Sequence, residues 1–165
     1  MSQAKCGFDD RGSVSARNLL VRLCPTLRVE IGFDADYDAD QPRRLARLAM
    51  PNVSALIDTG ASISCIDSGV AMELQLPIIN RTSVAGVGGL HQFNVHLAQI
   101  RAPELNFTFY GPFTGVDLAA SGQQRIALIG RDFLAHFHMT YDGPSGSVTL
   151  TDPHAPVETG NWPDE

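Results

Sequence analysis

Ala55-Leu56-Ile57-Asp58-Thr59-Gly60-Ala61-Ser62 is the stretch on which the fold is read. It closes a β-rich run, Val53–Asp58 (VSALID), so an apolar strand ends by presenting a carboxylate, then a hydroxyl, then a glycine. Alone, Asp-Thr-Gly at a strand end is an ordinary Asx-type turn. Its context is a second apolar strand, Arg125–Gly130 (RIALIG), which breaks at Gly130 into a short helix over Arg131–Phe137. Between the two lies Ser83–Ile100, two alternating runs around Val84-Ala85-Gly86-Val87-Gly88-Gly89, which reads as a β-hairpin with a glycine-rich tip.

Outward from these, Thr26–Phe33 alternates Leu27, Val29 and Ile31 with polar residues, the pattern of a half-buried strand. The acidic Asp34–Asp40 and basic Arg43–Arg47 read as a long polar hairpin loop carrying a helical fragment. Ser68–Leu76 fits a short helix stopped by Pro77. Leu105–Tyr110 is a further strand, and His138–Tyr141 and Val148–Thr151 form a hairpin about the turn sequence DGPSG. Residues 1–25 have no clear period and read as a mobile N-terminal arm with a short helix near Ser15–Leu23. Residues 152–165 read as an acidic, Pro-containing tail. The class is all-β, with the folded domain over 26–151.

The 165 residues suit one domain and leave no room for two lobes of about 150 residues each. At 44% hydrophobic and 18% charged the chain is not of the disordered class. The net charge of −6 is unevenly placed: residues 1–131 balance twelve basic against twelve acidic side chains, and the last 34 hold six acids and no Lys or Arg. Without a clustered basic face, nucleic acid is not expected as a partner. Cys6, Cys24 and Cys65 are odd in number and widely spaced, which suits a reducing compartment. No run has the length of a signal peptide core or a membrane span, so a cytoplasmic protein is expected, with no membrane partner.

The three elements in this order resemble the retropepsin family, the retroviral-type aspartic proteases, over about residues 26–150. The resemblance implies a single-lobe closed β-barrel with a flap hairpin and one short C-terminal helix. It implies an aspartic endopeptidase acting on an extended peptide without cofactor or metal. Asp58 is then the catalytic carboxylate, supported in its loop by Thr59, Gly60 and Ala61. Gly86, Val87, Gly88 and Gly89 form the flap over the substrate, and Gly130, Arg131 and Asp132 pack structurally beside the loop. Ala61, where two-lobed relatives usually have Ser or Thr, implies a mildly acidic to near-neutral optimum.

Such hydrolysis needs two carboxylates sharing a proton, one activating water and the other donating to the scissile carbonyl. The chain has one Asp-Thr-Gly, because Asp67-Ser68-Gly69 follows too closely and reads as a helix cap. A partner chain must supply the second carboxylate, so a twofold homodimer is expected. Where viral members often have Asp, this chain has Ser62, so Arg131 needs another acceptor, such as a backbone carbonyl or a carboxylate of its partner. The first loop, Asp34–Met50, is longer than theirs, and neither terminus matches the family pattern. A catalytically silent dimerisation or peptide-binding module is the alternative, since fold does not fix function.

Weaker signals have blander readings. Asp34, Asp36, Asp38 and Asp40 are spaced as in a calcium loop, but Ala39 stands where Gly is needed and Leu45 where Glu belongs. His136 and His138 lack carboxylate or cysteine neighbours at metal-site spacing. His91 lies near the flap, within reach of substrate. Cys65 has no identifiable base and reads as packing. Phe107, Phe109 and Tyr110 read as core or interface.

Overall fold

The computed structural model describes residues 2–38, 40, 44–86, 89–118 and 125–153. Strand β2 (Thr26–Gly32) buries Leu27, Val29 and Ile31, as their alternation requires. Antiparallel to it, β3 (Met50–Ile57) buries Val53, Ala55 and Ile57 and exposes Asn52 and Ser54. The order then runs β3 to β8 (Ala127–Ile129), to β4 (Cys65–Asp67), to β7 (Phe107–Val116), to β6 (Gly89–Ala102). The ring closes because β6 returns to β2, pairing Glu30 with Arg101, Ile31 with Ile100 and Gly32 with Gln99. At that seam Arg101 grips Glu30 with two charge-assisted bonds of 2.7 Å. The result is a closed six-strand barrel, filled by one apolar cluster that includes Ile57, Ile66, Ile100, Ile129 and Phe133. Each such fully buried aliphatic side chain contributes about 1.5–3 kcal/mol.

Strand β5 (Ile78–Gly86) lies outside the ring and, among the described residues, pairs only with the outer half of β6, from Ile78 opposite His96 to Gly86 opposite Gly89. This is the hairpin expected from the alternating runs. Val87 and Gly88, at its expected tip, lie outside the described residues.

A second sheet has the order β1 (Gln3–Lys5), β10 (Ser147–Thr151), β9 (His138–Asp142), all antiparallel. It corrects the reading of residues 1–25 as a mobile arm. The Cys6 and Gly7 N–H groups donate to the Val148 carbonyl, and Thr26 N–H to the Cys6 carbonyl, while Ala4, Cys6 and Leu20 are core residues. Helix α1 (Ala16–Leu23), capped by the Ser15 hydroxyl, packs so closely on the β9–β10 turn that a Cβ on Gly146 would lie 2.3 Å from the Ala16 carbonyl carbon. A three-residue strand in a Gly- and Ser-rich stretch gives no periodic signal, so its pairing is set by tertiary contacts alone.

Helix α2 (Ser68–Glu73) starts at Asp67, whose carboxylate accepts the Gly69 and Val70 N–H groups, the cap expected there. Helix α3 (Arg131–Leu134) leaves β8 directly. The helical fragment expected in the 34–49 loop is not found among its described residues. Local helix propensity loses there to side-chain anchors. The Asp34 carboxylate takes the Arg44 guanidinium as a fork and the Arg47 N–H at 2.7 Å, and the buried Gln99 amide holds both backbone groups of Asp34.

Candidate active site

Parallel pairing of Leu56 with Leu128 and Ile57 with Ile129 makes β3 and β8 end side by side. The Asp58 N–H extends that pairing to the Ile129 carbonyl at 2.9 Å, then the chain turns, with the Ala61 N–H returning to the Asp58 carbonyl at 3.2 Å. The Gly60 N–H donates to Asp58 Oδ1 at 2.8 Å, which fixes the carboxylate against its own loop. Asp58 is half-buried, while Thr59 and Gly60 are exposed in the single chain.

Behind the loop is a frame built from both strand ends. The fully buried Ser64 hydroxyl donates to Asp132 Oδ1 and accepts the Gly130 N–H, and the Ser64 N–H also donates to the Asp132 carboxylate. The Arg131 N–H donates to the Ala61 carbonyl at 2.9 Å, and Arg131 Nη1 reaches the Thr59 and Gly60 carbonyls at 2.8 and 3.1 Å. Of the acceptors open to Arg131 in the sequence, the backbone carbonyls are therefore the ones found within the chain. Gly130 is needed for close approach rather than for its torsion angles: a Cβ there would lie 2.8 Å from the Ile63 carbonyl carbon. The structure thus brings Asp58, Thr59, Gly60, Ala61, Gly130, Arg131 and Asp132 together. Sequence reasoning missed Ser64, although a serine inside the apolar run Ile63–Ile66 was a signal of a hydroxyl needing a buried partner.

Beside this loop runs an open cleft of about 760 Å³, lined by Gly60–Ile63, Cys65, Asn80, Thr82, Phe93, Val95, Pro112, Thr114 and Val116. Its far wall is the hairpin of β5 and β6. Gly86 and Gly89 close the hairpin register opposite each other, and Gly89 has φ of +108°, a conformation glycine adopts readily. His91 is exposed, opposite Val84 in the hairpin and not among the cleft-lining residues.

The family model described as retroviral aspartyl protease matches residues 25–141. The chain belongs to the retroviral aspartyl protease family. Among solved structures it is similar to the EIAV protease complexed with the inhibitor HBY-793, at 19% identity and a TM-score of 0.43, over 67% of this chain and 85% of that one. No curated protein matches. The matched span takes in the Asp58 loop, the hairpin and α3, and leaves out β1, α1 and β10.

Other sequence candidates take structural places in this aspartyl protease fold. Burial, followed by the negative charges of Asp132 and Asp58, pushes the Cys65 thiol up to about 11, while its S–H turns to the Ile63 carbonyl at 3.6 Å. Phe107 and Phe109 join Phe133 in edge-to-face contacts, and Phe107 meets Phe137 in the same way. Among the described residues no group of three or more His, Cys, Asp or Glu could hold a metal, and no helix is long and apolar enough to cross a membrane.

Proposed function

We propose that the protein is an aspartic endopeptidase whose catalytic pair is Asp58 from each of two identical chains. The observation that carries this reading is the Asp58 loop: one carboxylate per chain, oriented by the Gly60 N–H and buttressed by the Gly130–Asp132 segment, beside an open cleft lined by uncharged residues. Two carboxylates brought close cannot both ionise comfortably, so the pair shares a proton. The ionised member takes a proton from water as its oxygen attacks the scissile carbonyl. The protonated member donates to the carbonyl oxygen, giving a neutral tetrahedral gem-diol intermediate. Collapse returns a proton to the leaving nitrogen, and the pair ends as it began. The hairpin of β5 and β6 covers an extended peptide and offers it backbone hydrogen bonds.

The homodimer and the peptide substrate follow from this reading, as do the supporting role of Thr59, Gly60 and Ala61 and the flap role of Gly86–Gly89. Digestion of a peptide library by wild type and by Asp58→Asn tests it. Cleavage by wild type and at least about a thousandfold less by the variant is expected, in line with removal of a group acting in the transition state. Equal cleavage by both proteins removes the aspartic mechanism. Binding of peptides without cleavage by wild type would favour a silent binding module.

A further inference from the structure

Where the outer faces of β2 and β3 meet the N-terminal segment lies a second depression, of about 500 Å³. It shares no residue with the cleft beside Asp58. Its size falls within the range of about 300–1,000 Å³ usual for small-molecule sites, but its lining is polar where most such sites are apolar. Four of the lining side chains are cations, Lys5, Arg11, Arg28 and Arg125, in a chain whose net charge is −6. The three arginines are held in an unusual way. Arg28 Nη1 donates to Asn52 Oδ1 at 2.8 Å, and Arg125 Nη2 donates to the Leu23 carbonyl at 2.7 Å. The Arg11 guanidinium lies 5.9 Å from the centre of the Phe8 ring. Each is steadied by an uncharged partner, and among the described residues none pairs with a carboxylate. Lys5, by contrast, is neutralised by Asp9 at 2.5 Å. Three positioned guanidiniums thus keep their charge and most of their N–H donors.

We propose that this depression binds a small organic anion, whose phosphate or carboxylate group is gripped by Arg28 and Arg125. The strand register favours that pair. Arg28 stands opposite the outward-facing Ser54, and Arg125 comes from the segment leading into β8, which pairs with the other edge of β3. Strand β3 therefore runs between the two guanidiniums and adds the Ser54 hydroxyl to their donors. A guanidinium fork matches the oxygens of either anion, and such charge-assisted bonds are about twice as strong as neutral ones. Arg11 adds a third positive charge in the same wall. Asp9 and Glu104, also in that wall, repel a long polyanion, so the ligand is small. The bound anion would tie the N-terminal segment to the barrel through one group. Lys5 through Leu23 lie outside the family-matched span, so half of this site is built by residues that the family model does not include. The inference goes beyond the catalytic reading, since no residue of the Asp58 loop takes part.

Amide NMR titration of the full chain tests it, with inorganic phosphate and succinate as separate probes and chloride holding the ionic strength fixed. Saturable shifts centred on Gly7, Arg28, Ser54 and Arg125 are expected with at least one probe. Saturation by phosphate alone assigns a phosphate ligand, and saturation by succinate alone a carboxylate. Arg28→Gln and Arg125→Gln, with unchanged circular dichroism spectra, should each weaken that probe at least about tenfold, as expected for a lost charge-assisted hydrogen bond. Arg28→Lys should fall between wild type and Arg28→Gln, because it keeps the charge and loses the fork. Arg17→Gln removes an exposed cation outside the depression and should leave the affinity unchanged. Shifts that rise linearly with both probes, or that centre elsewhere, overturn the proposal. So does unaltered binding by both glutamine variants of Arg28 and Arg125, or equal weakening by Arg17→Gln, which would mark general charge screening. Asp58→Asn should bind the probe as wild type does, so its cleavage result bears on the catalytic reading alone.

Discussion

The Ser64 hydroxyl donates to the Asp132 carboxylate at 2.7 Å and in turn accepts the Gly130 N–H at 2.9 Å, tying the segment after β3 to the segment after β8. Ser64→Ala leaves the buried Gly130 N–H without its acceptor and takes one donor from Asp132. The cost should be about 1–3 kcal/mol, the penalty of an orphaned buried polar group. Ser62→Ala, an exposed neighbour, should change stability by less than about 0.5 kcal/mol. Denaturant midpoints of the two variants compare them directly, and equal shifts would mean that the buried hydroxyl contributes nothing special.

Arg131 acts differently, because its side chain is exposed and holds only loop carbonyls. Arg131→Ala should lower stability by no more than about 1 kcal/mol. Its effect on kcat/KM should be larger, about ten- to a hundredfold, since small displacements of a catalytic loop are costly. Arg131→Lys should recover part of the loss, because one ammonium can reach a carbonyl but lacks the rigid fork. Parallel losses of stability and activity in the Ala variant would contradict this division.

The Arg44 guanidinium, then the Arg47 N–H, hold the Asp34 carboxyl well below the usual carboxylate range. A folded-state pKa below the unfolded value contributes stability that is complete above about pH 4 and lost as pH falls toward the depressed value. Between pH 5 and pH 2, wild type should therefore lose more stability than Asp34→Asn, which cannot titrate at that site. Urea melts across this range would show identical pH slopes if the anchor were unimportant.

Burial pushes the Cys6 thiol up to about 12 and the Cys65 thiol up to about 11, whereas Cys24 is exposed. At pH 8 iodoacetamide should label Cys24 at least about tenfold faster than either, because the thiolate is the reacting form. Peptide mapping by mass spectrometry gives the order. Rapid loss of activity through alkylation of Cys65 would point to a thiol role that the geometry does not support.

How much of this was legible beforehand depended on the range of the deciding interaction. Strand β2 was readable because Leu27, Val29 and Ile31 alternate with polar residues, the local imprint of one buried face, and β3 because Val53–Asp58 is a β-rich run. The Asp58 and Gly130 segments were recognisable as motifs. What brings them together is Ser64, whose partners lie 66 and 68 residues away and leave no local imprint. Strand β1 was missed for the same reason: three residues have no period, and their place is dictated by Thr149, Leu150 and Thr151 at the other end of the chain. The 34–49 loop misled in the opposite direction, since its charges suggested a helix and serve instead as tethers on Asp34.

Strand β6 has a mechanical consequence. From Val95 to Ala102 it is flanked by β7, and it gains β2 over Gln99–Arg101, but from Gly89 to Asn94 its single strand neighbour among the described residues is β5. It is therefore a lever, clamped in the barrel wall at one end and overhanging the cleft at the other, with its fulcrum near Val95. The irregular register of β5 between Ile78 and Asn80 lies beside that point, where a hinge bends most easily. Of the cleft-lining residues on the two strands, Val95 sits at the fulcrum, where bending of the hairpin would displace it least. Thr82 and Phe93 sit farther out, so the same bending would displace them most and change the width of the cleft they line.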